Sequence, residues 1–325
     1  MATAENSYLR TELVHRRELL HSVVHTGHSN ESLTRLLSEV DAALARLDRG
    51  NFGVCEACQG KISTERLLSD PLASVCLDCL SQEEQHSLEV DLALAGRIQR
   101  GLLPSSGTCL GGWKFAYHYE PAGLVSGDYC DFIDTDRGLL FLLGDVSGKG
   151  VAASMLMSHL NATFRSLAAA DLPLDRMVES ANRIFCKSTL ASQYATLVVG
   201  RAAPDGAVEF ASAGHLPLLH LHERGASSYE ATGVPLGMFC DAAFSVHRLS
   251  LQPGDTLFLH TDGLSEARNS GGEEFGLARV AAFLSGVDRT APERILQDCV
   301  TEWRKHRGEQ KASDDLTILT LCRAT

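Results

Sequence analysis

Two sets of side chains in this sequence have the types and spacing for chemistry. The first is Cys55-x-x-Cys58, followed after seventeen residues by Cys76-x-x-Cys79. Paired thiolates of this kind close tetrahedrally round one zinc ion. Four sulfur ligands leave no open position for a substrate, so the implied Zn2+ is structural. A redox dithiol needs one such pair and not two. Gly53 and Gly60 flank the first pair, where backbone amides have to turn toward sulfur. The second set is aspartate, placed where apolar runs end beside glycine or another turn-former. Asp128 and Asp131 lie in SGDYCDF, Asp145 in FLLGDVSGKG, Asp262 in TLFLHTDGL, and Asp314 and Asp315 in ASDDLTILTL. One carboxylate at a strand end is ordinarily a solvated turn. Four in the same context repel one another unless cations neutralise them, and all-oxygen ligands select hard ions such as Mg2+ or Mn2+. Two such ions, roughly 3.5–4 Å apart, acidify a water and neutralise a phosphoryl group under in-line attack. Such a reaction needs no protein nucleophile.

The sequence agrees with that reading by what it lacks. It has no Cys-x5-Arg loop and no Gly-x-Ser-x-Gly elbow. Gly144-x-x-x-Gly148-Lys149 falls one residue short of the nucleotide-cradling spacing. His215 in SAGHLPLL reads as a turn histidine in preference to a general acid. Lys149 either attracts a phosphate or is a solvated lysine at a helix start.

The elements that must hold these residues divide in two. Residues 7–25 and 32–49 place leucine and valine at helical spacing, joined by TGHSNES, and predict an antiparallel helical hairpin over 1–50. The cysteines fill a small module, 51–82. A linker helix, 83–104, carries Leu88, Leu92, Leu94, Ile98 and Leu102 and stops at Pro104. Its amphipathic face is expected to pack on the following domain or on a second copy of itself. Over 113–323 short runs of β character (KFAYHYE, GLLFLLGDV, YATLVVGRA, AVEFAS, PLLHLH, DTLFLHTD and DLTILTL) alternate with helical stretches at 150–170, 173–190, 277–285 and 291–304. That order predicts an α+β fold, a β-sandwich flanked by helices.

The net charge of −12 argues against nucleic acid as the main partner, because that affinity comes from neutralising phosphates. No run approaches 18 apolar residues, which argues against a membrane span, and the polar first twenty residues contain no signal core. The ten cysteines are therefore expected to be reduced, in a cytoplasm.

Two resemblances follow from longer words. The run LSEVDAALARLDRGNFGVCEACQGKISTERLLSDPLASVCLDC resembles the DksA/TraR zinc-finger family. Some members of that family bind RNA polymerase through acidic residues at a hairpin tip. Here the tip has Glu31 as its only acid, which favours a docking or dimerisation module over polymerase contact. From about 88 to 322, the words RIQRGLLP, GDYCDF, GDVSGKGVAASMLM, SAGHLPLLH, GVPLGM, LQPGDTLFLHTDGLSEARN, GEEFG and DDLTILTL resemble the SpoIIE/RsbU branch of the PPM phosphatases. The resemblance implies a metal-dependent protein serine/threonine phosphatase with two Mg2+ or Mn2+ ions. It assigns the ions to Asp128, Asp145, the Val146 carbonyl, Asp262 and Asp314, with Asp145 bridging. It also implies a phosphorylated anti-sigma-factor antagonist, a STAS-domain protein, as substrate. A homodimer through the N-terminal helices fits the same picture. The rival readings are a catalytically silent zinc-finger adaptor and an RNA-polymerase-binding regulator.

Overall fold

A computed structural model of the 325-residue chain describes residues 9–11, 13–18, 20–21, 31–105, 109–170, 172–189 and 193–324. The chain divides into two compact units, residues 1–90 and 91–325. Most of the predicted hairpin tip lies outside the described residues.

In the first unit, helical residues near 9–21 pack on α1 (Glu31–Asp48). Leu13 meets Val40, Ala43 and Leu44, while Leu9 joins Cys55, Ile62 and Leu67. The leucine spacing thus becomes two small cores, one of which includes the cysteine module. Arg10 pairs with Asp48 at 2.6 Å across the helices. A short helix, α2 (Thr64–Ser69), begins on a Ser63 hydroxyl that accepts the Arg66 N–H at 3.3 Å.

Helix α3 (Gln82–Leu102) starts in a capping box: the Glu84 carboxylate accepts the Ser81 N–H, and the Ser81 hydroxyl accepts the Glu84 N–H. The boundary between the two units falls inside this helix. Its last turns belong to the second unit. Gly96 and Gln99 are the buried positions, while Leu94 and Ile98 are exposed at 45% and 61%. A Cβ at Gly96 would stand 2.2 Å from the Leu124 carbonyl oxygen, so only glycine allows that approach. Gln99 exchanges two hydrogen bonds with the Ser126 backbone, at 2.7 and 2.9 Å. Close backbone approach and one amide side chain seat the helix, and its apolar stripe stays outside.

The second unit is an α+β sandwich of two antiparallel sheets. One runs β1-β2-β11-β10-β7-β8 and the other β3-β4-β5-β6-β9. The first sheet comprises β1 (Cys109–Leu110), β2 (Trp113–Glu120), β7 (Leu218–His222), β8 (Gly225–Tyr229), β10 (Thr256–His260) and β11 (Leu316–Arg323). The second comprises β3 (Asp128–Thr135), β4 (Gly138–Val146), β5 (Ala195–Ala202), β6 (Ala207–Ala213) and β9 (His247–Ser250). Alternate residues of each sheet, among them Phe115, Phe132, Phe141, Phe210, Leu257 and Leu319, meet in the layer between them. The other face of the second sheet is covered by α4 (Gly150–Ala168) and α5 (Leu174–Ser188). The first sheet is covered by α6 (Asp262–Ser265), α7 (Gly276–Leu284) and α8 (Pro292–Arg307). Both faces of β4 are buried, which is why it reads as a continuous apolar run. β8 and β9 were not anticipated, because GASSY and HRLS are short, largely polar edge strands without an apolar alternation.

The β3–β4 hairpin sets the geometry of the site. Thr135 pairs with Gly138 at its turn and Asp128 with Asp145 at its open end. Gly138 has φ +120°, and a Cβ there would lie 2.4 Å from the Ala202 carbonyl oxygen, so the turn requires glycine.

Candidate metal centres

The cysteine pairs converge. All four sulfurs lie within 4.8 Å of one another, the one group of three or more ligand-type side chains among the described residues to do so. Each pair sits on a tight backbone turn. Gln59 takes a left-handed φ of +59° and donates its N–H to the Cys55 carbonyl, and the Cys76 N–H points at the Cys55 sulfur at 3.3 Å. The backbone N–H groups of Cys58 and then Cys76 hold the Cys55 thiol down at about 6. Cys79 is pushed up to about 12, first by its contact with Cys76 and then with Cys58. One thiolate forms readily and the next resist, because like charges accumulate at one point. A divalent cation removes that conflict, so the donor set fits zinc.

The aspartates are brought together by tertiary structure. Asp128 and Asp145 face each other across β3 and β4. Asp262 opens α6 just after β10, and Asp314 precedes β11, whose pairing with β10 matches His260 to Ile318. Two strand ends from each sheet therefore meet at one end of the sandwich. Burial, then Asp262 and Asp314, raise the Asp145 carboxyl to about 7. Burial, then Asp314 and Glu266, raise Asp262 to about 6. Burial followed by Asp145 raises Asp128 well above the usual carboxylate range. The four carboxylates thus share one field, although no three of their oxygens gather as closely as the sulfurs do.

Asp128 supplies the test of whether a cation fits. Its Oδ2 accepts hydrogen bonds from the Thr317 hydroxyl at 2.6 Å and the Thr261 hydroxyl at 3.0 Å. Its Oδ1 is buried and has no partner. A buried carboxylate oxygen without a donor is costly, and a hard cation in front of it removes the cost. Thr261 and Thr317 were missed in the sequence. Their signal is weak, a threonine directly before Asp262 and another two residues after Asp315.

The remaining residues separate by role. Asp315 accepts N–H groups from Ala122 at 2.8 Å and Gly127 at 2.9 Å, and so fixes the loop that delivers Asp128. Gly127 lets the Val146 carbonyl approach to 3.0 Å of a would-be Cβ. Asp131 is fully buried and chelated by Arg165 of α4, at 2.8 and 2.9 Å. Lys149 donates to Asp314 Oδ2 at 2.7 Å and to the Ser313 carbonyl at 2.5 Å. Its ammonium already offers Asp314 a counter-charge. His215 is buried between the Thr196 hydroxyl at 2.8 Å and the His260 carbonyl at 3.2 Å, and burial, then His260, depress it to about 3. It is a neutral loop-holding residue. Asp145, Thr196, Gly214, Asp262 and Glu266 line the shallow cavity beside it.

Residues 135–324 match the family model described as Stage II sporulation protein E (SpoIIE). The chain belongs to the SpoIIE family. Residues 50–85 match the prokaryotic DksA/TraR C4-type zinc finger. Around the SpoIIE-family domain the chain is 27% identical over 264 residues to Protein IcfG of Synechocystis sp., covering 72% of this chain and 42% of that protein. It is 26% identical over 191 residues to the phosphoserine phosphatase RsbU of Bacillus subtilis, covering 58% of this chain and 57% of that one. It therefore spans about half the length of each of these relatives. The solved structure of the RsbU and RsbW domains of Rv1364c from Mycobacterium tuberculosis superposes with a TM-score of 0.59 at 28% identity, covering 68% of this chain and 62% of that one. The sandwich is thus the one expected for a PPM-type domain.

Proposed function

We propose that this chain is a metal-dependent phosphatase for phosphoserine and phosphothreonine in proteins. The observation that carries the reading is the unpartnered Oδ1 of Asp128, buried opposite Asp145, whose own carboxyl feels Asp262 and Asp314. The likeness to a phosphoserine phosphatase supports the substrate class. Asp128, Asp145, Asp262, Asp314 and the Val146 carbonyl would hold two Mg2+ or Mn2+ ions, which would supply an acidified water and positive charge for the phosphoryl oxygens. Thr261 and Thr317 hold Asp128 in one rotamer. Asp315 orders the loop that presents it, and Lys149, at the start of α4, adds positive charge for an incoming phosphate. His215 moves no proton, because its ring is neutral and both nitrogens are engaged.

The substrate is a phosphorylated STAS-domain antagonist of an anti-sigma factor, and the work is cytoplasmic. That part of the reading rests on the family resemblance. The four cysteines hold one structural Zn2+. No helix among the described residues is long and apolar enough to cross a membrane. Val90, Leu94 and Ile98, exposed at i, i+4 and i+8 on α3, support pairing with a second copy through the N-terminal helices. The test is hydrolysis of a chromogenic phosphate ester and of a phosphoserine protein with Mn2+, with Asp145→Ala as control. Absence of turnover with every divalent ion tried returns the chain to an adaptor role.

A further inference from the structure

Six cysteines lie outside the zinc module, and two of them are held near one another. Cys186 occupies the last turn of α5, and Cys240 lies in the loop after Gly237. One turn before Cys186, Asn182 is fully buried and ties this loop down. Its Nδ2 donates to the Phe239 carbonyl at 2.8 Å and the Cys240 carbonyl at 3.2 Å, and its Oδ1 accepts the Gly237 N–H at 2.9 Å. Phe185 packs beneath the same loop, since a Cβ at Gly237 would stand 3.0 Å from its ring. Residues 182 and 186 share one helix face, so Cys186 points at the segment whose backbone Asn182 holds. Asn182 thus holds the Cys240 backbone one helical turn from Cys186, near enough for the two thiols to perturb each other. Cys240 is exposed and Cys186 half-buried, whereas Cys130, Cys299 and Cys322 are buried.

We propose that Cys186 and Cys240 form a peroxide-oxidisable dithiol, a modification site on the SpoIIE-family domain separate from both metal centres. The exposed Cys240 reacts first. Its thiolate attacks the peroxide O–O bond, giving a sulfenic acid and releasing hydroxide. Cys186 then displaces the sulfenic oxygen, which leaves as water with the Cys186 proton. Two thiols and one hydrogen peroxide thus become one S–S bond and two waters. Burial, followed by the Cys240 contact, raises Cys186 to about 11, which suits it to the resolving role and not to first attack. The bond joins the end of α5 to a loop whose Leu236 pairs with Ala195, and Ala195 in turn pairs with Val146 of β4. Oxidation is thereby written into the backbone behind the aspartate site.

The experiment uses the full, zinc-loaded chain, treated with hydrogen peroxide, blocked with a thiol alkylator and digested without reductant. The expected product is a Cys186–Cys240 linked peptide, about 2 Da lighter than the two thiols combined and released by a thiol reductant. The oxidised protein should melt roughly 5 °C higher than the reduced one. Cys240→Ser should show neither the linked peptide nor the shift. Separate alkylation of Cys186 and Cys240 after peroxide, or pairing of either with a third cysteine, overturns the proposal.

Discussion

The two candidate metal centres of this chain are built in opposite ways. The cysteine module takes its ligands from residues 55–79, where turns at Gln59 and Gly53 aim sulfur at a point that local chain geometry nearly defines. The aspartate site takes one residue each from β3, β4, α6 and the segment before β11, so almost two hundred residues must fold before it exists. Local closure yields a tight sulfur cluster. Assembly from distant strand ends leaves carboxylates that face one another but stay apart, with Asp128 Oδ1 unpartnered. A site held by its own backbone is legible from spacing, whereas a site held by a sheet depends on register.

Substitutions divide the two centres most sharply. Asp145→Ala is expected to lower Mn2+-dependent hydrolysis of a chromogenic ester by roughly 100-fold or more while zinc content stays unchanged. Equal loss of zinc would mean the centres are not independent. The converse variant, Cys76→Ser, should release the zinc and expose residues 50–80 to limited proteolysis. Ester turnover should persist, because each unit has its own core. A smaller effect separates support from ligation. Arg165→Ala strands the fully buried Asp131 and should cost about 3 kcal/mol in denaturant unfolding. Its loss of turnover should track the unfolded fraction.

The mildest test uses pH on chelator-treated protein. Asp145 and Asp262 are raised in the folded chain to about 7 and about 6, from ordinary values near 3.8. The folded state then binds more protons than the unfolded one, so their contribution is fully present below about pH 3.8 and is lost as pH rises through about 7. The urea midpoint of the chelated protein should therefore fall between about pH 4 and pH 7, and Mn2+ should restore it at the upper end. The cysteine centre should show no such recovery with Mn2+, since thiolates prefer softer ions.

Much of this was visible in the residues. GLLFLLGDV and DLTILTL read as buried strands because both their faces are covered, and Cys55, Cys58, Cys76 and Cys79 announce their site by spacing alone. Asp128, Asp145, Asp262 and Asp314 were singled out by context, at strand ends beside turn-formers. Thr261 and Thr317 were not, because a hydroxyl that supports a carboxylate leaves no periodic trace. The seat of α3 on its own domain leaves no such trace either. Leu94 and Ile98 advertise an apolar face, yet Gly96 and Gln99 make the contact, and a missing Cβ is silent in a hydrophobic pattern. Asp315 shows the limit of adjacency, since it neighbours Asp314 but turns to hold the backbone of Ala122 and Gly127.

The Gly138 turn gives the hairpin a lever arm. It lies seven ladder pairs from Asp128 and Asp145, touches neither, and decides which residue of β3 stands opposite which residue of β4. Sliding one strand by a single step would carry Tyr129 into the place of Asp128 and seal the carboxylate among hydrocarbon. Chemistry at one tip of this ribbon is thus hostage to a backbone angle at the other. Screens for inactive variants should recover lesions at position 138 that no map of the catalytic pocket would suggest.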